Sequence, residues 1–166
     1  MADVADSTLY NLSEGIQHLE GALVVLVKTE WNAAIVDELE AGCLRVLHNN
    51  SIRTLTLLVP GAVEIPFAIK HFWENVKKKD RPIAFIALGC VIRGDTPHFD
   101  YVCQAVTVGV TNLNISIGAP VIFGLLTVDN EEQAQDRIGG KHGHKGEEAA
   151  VTALKMALLS RHLKKS

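Results

Sequence analysis

Four short apolar runs, GALVVLV, IRTLTLLV, PIAFIALGCVI and PVIFGLLTV, recur along the chain, and each is followed by a longer segment that reads as a helix. In WNAAIVDELEAGCLRVLHNN, for example, Ile35, Leu39 and Val46 fall close to one face of a helical repeat. Strand and helix alternating in this way imply a parallel sheet, because parallel neighbours need crossover connections and must be covered on both faces. The pattern predicts an α/β protein, a three-layer α/β/α sandwich. Only the opening MADVADSTLYNLSEGIQHLE lacks this order. It is acidic and weakly patterned, and reads as an arm over residues 1–20 with a short strand near Ile16. The remaining residues, 21–166, have the size of a single domain.

Right-handed crossovers with the strand order 2-1-3-4, the flavodoxin-like arrangement, would set the ends of strands 1 and 3 side by side at a topological switch point. Sheets of this kind bind ligands there. The net charge of -3 gives no reason to expect a nucleic acid as partner. The two basic runs, Lys77 to Lys79 with Arg81 and Arg161 to Lys165, read as solvated helix ends. No apolar segment approaches the length of about 20 residues that a bilayer crossing needs, so no membrane is expected. The three cysteines, Cys43, Cys90 and Cys103, are odd in number and lack CxxC spacing. They read as reduced thiols in a cytoplasm and not as metal ligands.

The residues just past each strand carry the chemistry. After strand 1, Trp31 could stack on a flat heterocycle or cover the mouth of the core, and Asn32 could cap the helix or bond a ligand. After strand 2, PGAVEIP offers Gly61, for close backbone approach or a left-handed turn, and the Ala62 and Val63 peptide groups with Glu64 beside them. After strand 3, RGDTPH is the strongest signal. Thr96 before Pro97 reads as an N-cap followed by the first helical residue. A tight turn at Gly94 would leave the N–H groups of Asp95 and Thr96 free, a natural seat for phosphate at a helix N-terminus. His98, in the first helical turn, could take and return protons beside such a seat, or merely cap the helix or pack. A competing pair of Cys90 as nucleophile with His98 lacks a third group to orient it. Past strand 4, His142 and His144 read as a solvated loop, since no thiol or acidic ligand stands at metal-binding spacing. Arg137 lies a helix away from its own strand end, so a bidentate contact from it to a phosphate would come from a neighbouring subunit.

Taken together and in this order, PGAVEIP, ALGCVIRGDTPHFDYV, PVIFGLLTVDNEEQAQDR and GGKHGHKG resemble the lumazine synthase family, from about Gly21 to Leu158. The resemblance implies a cofactor-free transferase of riboflavin biosynthesis. Such an enzyme joins 5-amino-6-(D-ribitylamino)uracil to 3,4-dihydroxy-2-butanone 4-phosphate, giving 6,7-dimethyl-8-ribityllumazine, phosphate and water. It implies that Trp31, Asn32, Ala62, Val63, Glu64, Cys90, Val91 and Ile92 contact the pyrimidine and ribityl chain. Asp95, Thr96, Arg137 and Lys145 would serve the phosphate and His98 proton transfer, with Phe123 supplied by an adjacent subunit.

The resemblance further implies pentamers with shared active sites. The uninterrupted GGKHGHKG connection is similar to that of members forming 60-subunit icosahedral shells, and riboflavin synthase is the implied partner protein. Trp31 stands where phenylalanine is commoner, and its larger electron-rich face suggests riboflavin binding. Val63 replaces a bulkier residue, and Asp95 a smaller one. A non-catalytic flavin-binding or shell-forming homologue is the alternative, against which His98, Thr96 and Arg137 stand together. A flavodoxin-like electron carrier would need a Ser/Thr- and Gly-rich loop after strand 1, where KTEWNAA stands instead.

Overall fold

The computed structural model describes residues 7–11 and 16–164. Its principal sheet has four parallel strands, β1 (Leu23–Thr29), β2 (Arg53–Val59), β3 (Ala84–Ile92) and β4 (Val121–Val128), in the order β2-β1-β3-β4. Helices α1 (Ala33–Asn49), α2 (Ile65–Asn75) and α3 (His98–Ser116) form the crossovers. After β4 come a short α4 (Glu131–Gln135), a small antiparallel pair β5 (Ile138–Gly140) and β6 (Gly143–His144), and the terminal α5 (Lys145–Leu163). This is the expected three-layer sandwich with the expected strand order.

Burial follows position in the sheet. Val24 to Val27 on β1 and Ala84 to Leu88 on β3 are fully buried, because central strands are covered on both faces. Edge strand β2 instead alternates, leaving Leu55 and Leu58 exposed. Two apolar clusters flank the sheet. Ile35, Leu39, Leu47 and Leu154 of α1 and α5 pack on one face; Ile65, Ile69, Val106 and Val110 of α2 and α3 pack on the other. The register aligns Lys28 with both Leu58 and Leu88, so β1 and its two neighbours deliver their following loops to the same end of the sheet.

Several local expectations are corrected. Ile16 opens a single turn of 3-10 helix, Ile16–Leu19, not a strand, and Leu19 from that turn is buried in the core. The rest of the expected arm lies partly outside the described residues. The stretch around His142 and His144, read as a solvated loop, belongs to the β5-β6 hairpin, whose glycines Gly139 and Gly143 take positive φ of 107° and 81°. His144 is not solvated. It is 6% exposed, and its ring lies against Gly42 of α1, where an added Cβ would come within 2.2 Å of the ring.

Candidate active site

The loops after β1, β2 and β3 enclose a cleft of about 540 Å³. Trp31 and Asn32 enter from the first, Ala62, Val63 and Glu64 from the second, Cys90, Val91 and Ile92 from the end of β3 itself, and His98 from the start of α3. Trp31 is 73% exposed, so it forms a wall of the cleft and does not cap the core. Gly61 has extended backbone, φ -149° and ψ 179°, which any residue can adopt. A Cβ there would lie 2.9 Å from Glu64 Oε2, the movable end of an exposed side chain, and 3.7 Å from Trp31 Cδ1, an ordinary contact, so the position does not require glycine.

Asn32 neither caps α1 with its side chain nor points freely into the cleft. It sits in the left-handed region, φ 56° and ψ 43°, and its Nδ2 donates to the Cys90 carbonyl at 2.8 Å. Asparagine tolerates that conformation better than most residues. The bond ties the loop after β1 to the end of β3 across the switch point. Thr29, buried at the end of β1, donates from Oγ1 to the Trp31 carbonyl at 3.3 Å and steadies the same loop. Cys90 is 4% exposed, and burial, helped by the charge of Glu131, pushes its thiol up to about 11. A thiol held protonated in this way is not a nucleophile near neutrality, which removes the competing pairing with His98.

Between β3 and α3 the turn of residues 93–97 leaves the N–H groups of Gly94, Asp95 and Thr96 without a partner among the described residues. They sit at the N-terminal end of a 19-residue helix, where anions are favoured. The N-cap position is taken by Pro97 and not Thr96, whose exposed hydroxyl bonds no described group. Gly94 does not adopt positive φ, and a Cβ there would meet open space, so the turn does not depend on its being glycine. The residue that shapes the turn is one that sequence reasoning passed over. Arg93 donates from Nε to Asp129 Oδ1 at 3.0 Å and from Nη2 to Asp100 Oδ1 at 3.2 Å, and its guanidinium lies 4.1 Å from the centre of the Phe99 ring. It joins the end of β3, the first turn of α3 and the end of β4. Its sign in the sequence is a lone cation followed by two acids at loop and helix-start positions.

Phe123, Arg137 and Lys145 do not border this cleft. Phe123 and Lys145 line a second cavity of about 390 Å³ along β4 and α5. Glu148, which borders the same cavity, accepts from Arg137 Nη2 at 2.9 Å and lies 3.7 Å from Lys145 Nζ. Arg137 also donates to the His142 carbonyl. Glu148 is 7% exposed, and nothing in the sequence marked it as the residue that gathers the two cations. One subunit thus presents two separate groups of the expected site residues.

The chain matches the family model described as 6,7-dimethyl-8-ribityllumazine synthase over residues 21–161. A protein of that name from Cytophaga hutchinsonii is 45% identical over 155 residues, covering 92% of this chain and 95% of the relative. Relatives of the same name from Parabacteroides distasonis and Porphyromonas gingivalis are 47% and 48% identical, covering 81% and 80% of this chain and 84% and 81% of their own lengths. With strand order, cleft and similarity over nearly the whole chain in agreement, the protein belongs to the 6,7-dimethyl-8-ribityllumazine synthase family.

Proposed function

We propose that the cleft between β1 and β3 is half of the catalytic site through which this chain, a transferase of riboflavin biosynthesis, acts. It condenses 5-amino-6-(D-ribitylamino)uracil with 3,4-dihydroxy-2-butanone 4-phosphate to 6,7-dimethyl-8-ribityllumazine, phosphate and water. The observation that carries the assignment of residues is the convergence of three strand ends on one cleft that holds His98. Trp31 faces the pyrimidine, while the peptide groups of Ala62, Val63, Cys90, Val91 and Ile92, with Glu64, hold its edge and the ribityl chain; Asn32 fixes the cleft wall. The N–H groups of Asp95 and Thr96 seat the phosphate of the second substrate.

The 5-amino group adds to the ketone and water leaves as the imine forms. Proton abstraction then allows phosphate to depart, leaving an enol that becomes a ketone; the ribitylamino nitrogen adds to that carbonyl, and its oxygen leaves as a second water as the ring closes. His98 moves the protons, and the helix N-terminus receives the charge developing on the phosphate. Much of the acceleration is positional, since the amines are already nucleophilic.

Phe123, Arg137 and Lys145 complete the site from an adjacent subunit. Their grouping along β4 and α5, away from the cleft of their own chain, supports that reading. A pentamer follows as the smallest active unit, and twelve pentamers as a 60-subunit shell. Tyr101, Val108 and Ile115, exposed at seven-residue intervals on α3, give an apolar stripe suited to self-association. Residues 21–166 form the catalytic domain and residues 1–20 an arm. Riboflavin binding at Trp31, contact with riboflavin synthase and a cytoplasmic site of action belong to the same reading; the free thiols of Cys43, Cys90 and Cys103 accord with the last. The decisive assay mixes purified protein with both substrates and follows lumazine fluorescence together with phosphate release. Rates no higher than the uncatalysed background in assembled protein would overturn the proposal.

A further inference from the structure

The two basic runs, far apart in sequence, meet in the folded chain. Lys78 and Arg81 from the turn before β3, and Arg161 and Lys164 from the end of α5, border one cavity of about 560 Å³. It lies where the strands begin, beside Ala22, Ile83 and Gly118, and so at the opposite end of the sheet from the cleft. β1 has seven residues, which at about 3.3 Å each separates the two places by roughly 23 Å.

Among the described residues nothing neutralises this cluster. No Asp or Glu lines the cavity, and none of the four cations forms an ion pair among the described residues. Asp80 and Glu20 stand close by in sequence, exposed, and neither borders the cavity. Arg161 donates to a neutral acceptor, the His18 carbonyl. The Arg81 guanidinium lies over the Trp73 ring, 4.1 Å from its centre, and its buried Nε has no partner among the described residues. The indole face holds the guanidinium in place without neutralising its charge. The dipole of α5 accounts for cations at its own C-terminus. It does not account for Lys78 and Arg81 facing the same space from another element.

We propose that this cavity is an anion site distinct from the catalytic cleft, taking a small polyphosphate chain. Four cations supplied from two elements around one cavity of about 560 Å³ match a ligand that carries several charges along a short chain, and exceed what one phosphate group would engage. Ser160, which also lines the cavity, adds a hydroxyl.

The test uses the full chain with Trp31→Phe, which leaves Trp73, packed under Arg81, as the single indole. Titration with inorganic tripolyphosphate at low ionic strength is expected to change Trp73 emission saturably. Inorganic phosphate at matched ionic strength should give a midpoint at least tenfold weaker. Lys78→Glu with Lys164→Glu alters only exposed side chains and should weaken tripolyphosphate at least tenfold, with lumazine formation unchanged in the background that retains Trp31. Lys77→Glu with Lys79→Glu makes the same formal charge change beside the cavity and should weaken it less than threefold. A flat titration, equal affinity for phosphate, or equal loss in both charge-reversed variants would overturn the site.

Discussion

Asn32 Nδ2 lies 2.8 Å from the carbonyl oxygen of Cys90, 58 positions away in sequence, and this one bond joins the two strand ends between which the cleft opens. Both partners would otherwise be read as substrate contacts. The bond costs Asn32 its freedom to cap α1, but it sets the spacing of Trp31 from the end of β3.

Removing that bond should be felt in both stability and binding. Asn32→Ala loses a hydrogen bond worth about 1 kcal/mol and places alanine in the left-handed region at a further cost of about 1 kcal/mol. Thermal unfolding should report a loss of about 2 kcal/mol, and KM for the pyrimidine should rise. Asn32→Gly should recover the backbone part of the stability and leave KM raised. Equal KM in all three proteins would show that the bond does not shape the cleft.

Cys90 lines the cleft with a thiol pushed up to about 11 by burial. Cys90→Ala is expected to retain kcat within about threefold, because a protonated thiol contributes no nucleophile near pH 7. Iodoacetamide should react with Cys90 far more slowly than with an unhindered thiol. Loss of turnover by more than a hundredfold in a correctly assembled Cys90→Ala protein would restore the nucleophile reading.

His98→Ala should lower kcat by about 10- to 100-fold, toward the lower part of what acid-base catalysis supplies, and leave a rate measurable above background by lumazine fluorescence. Complete loss with intact assembly would mean that chemistry, not positioning, carries most of the acceleration.

A site shared between subunits makes a quantitative prediction. His98→Ala damages the cleft, and Arg137→Gln damages the group of residues along β4 and α5. Co-refolded in equal amounts, the two should restore intact sites at roughly a quarter of positions, the random-neighbour fraction in a ring with one site per interface. Activity equal to the average of the two separate variants would place both residues in a site formed within one chain.

His144 gives the pH dependence its sign. Burial, with a smaller contribution from Arg45, holds its imidazole below the ordinary 6.5, against the opposing charges of Glu147 and Glu38. The unfolded chain therefore takes up the proton more readily than the folded one. The stability contributed by the neutral ring is complete above 6.5 and is lost as pH falls below that value toward the lowered one. Between pH about 7.5 and about 5, Tm should fall further for the natural protein than for His144→Asn, which cannot titrate. A parallel fall in the two would exclude His144. Gly42→Ala, which forces a Cβ into the same ring, should cost about 2 kcal/mol at any pH, since packed interiors accommodate an added methyl poorly.

The class of fold, the strand order and the strand ends that matter were legible in the chain because each depends on short-range signals. Apolar runs of strand length followed by helical spacing leave few ways to build a layered sheet. The composition of RGDTPH is intelligible from the chemistry of helix starts alone. Local detail was less secure. Thr96 precedes proline as an N-cap would, but the helix is capped one residue later, at Pro97. KHGH has the polar, glycine-containing look of a loop, yet His144 is buried because α1 offers a glycine opposite it.

Periodicity and strand-end chemistry thus determined the layered architecture, the switch-point cleft and the place of His98 within it. Tertiary structure alone decided which polar groups spend their bonds on the protein. Asn32 turned to Cys90, Arg93 gathered Asp100 and Asp129, Arg137 and Lys145 met at Glu148, and the two basic runs came to border one cavity. The reason is geometry: a hydrophobic repeat is read along the chain, whereas the partner of a polar group is set by how elements fold against one another, whether 3 positions apart, as Lys145 and Glu148, or 58, as Asn32 and Cys90.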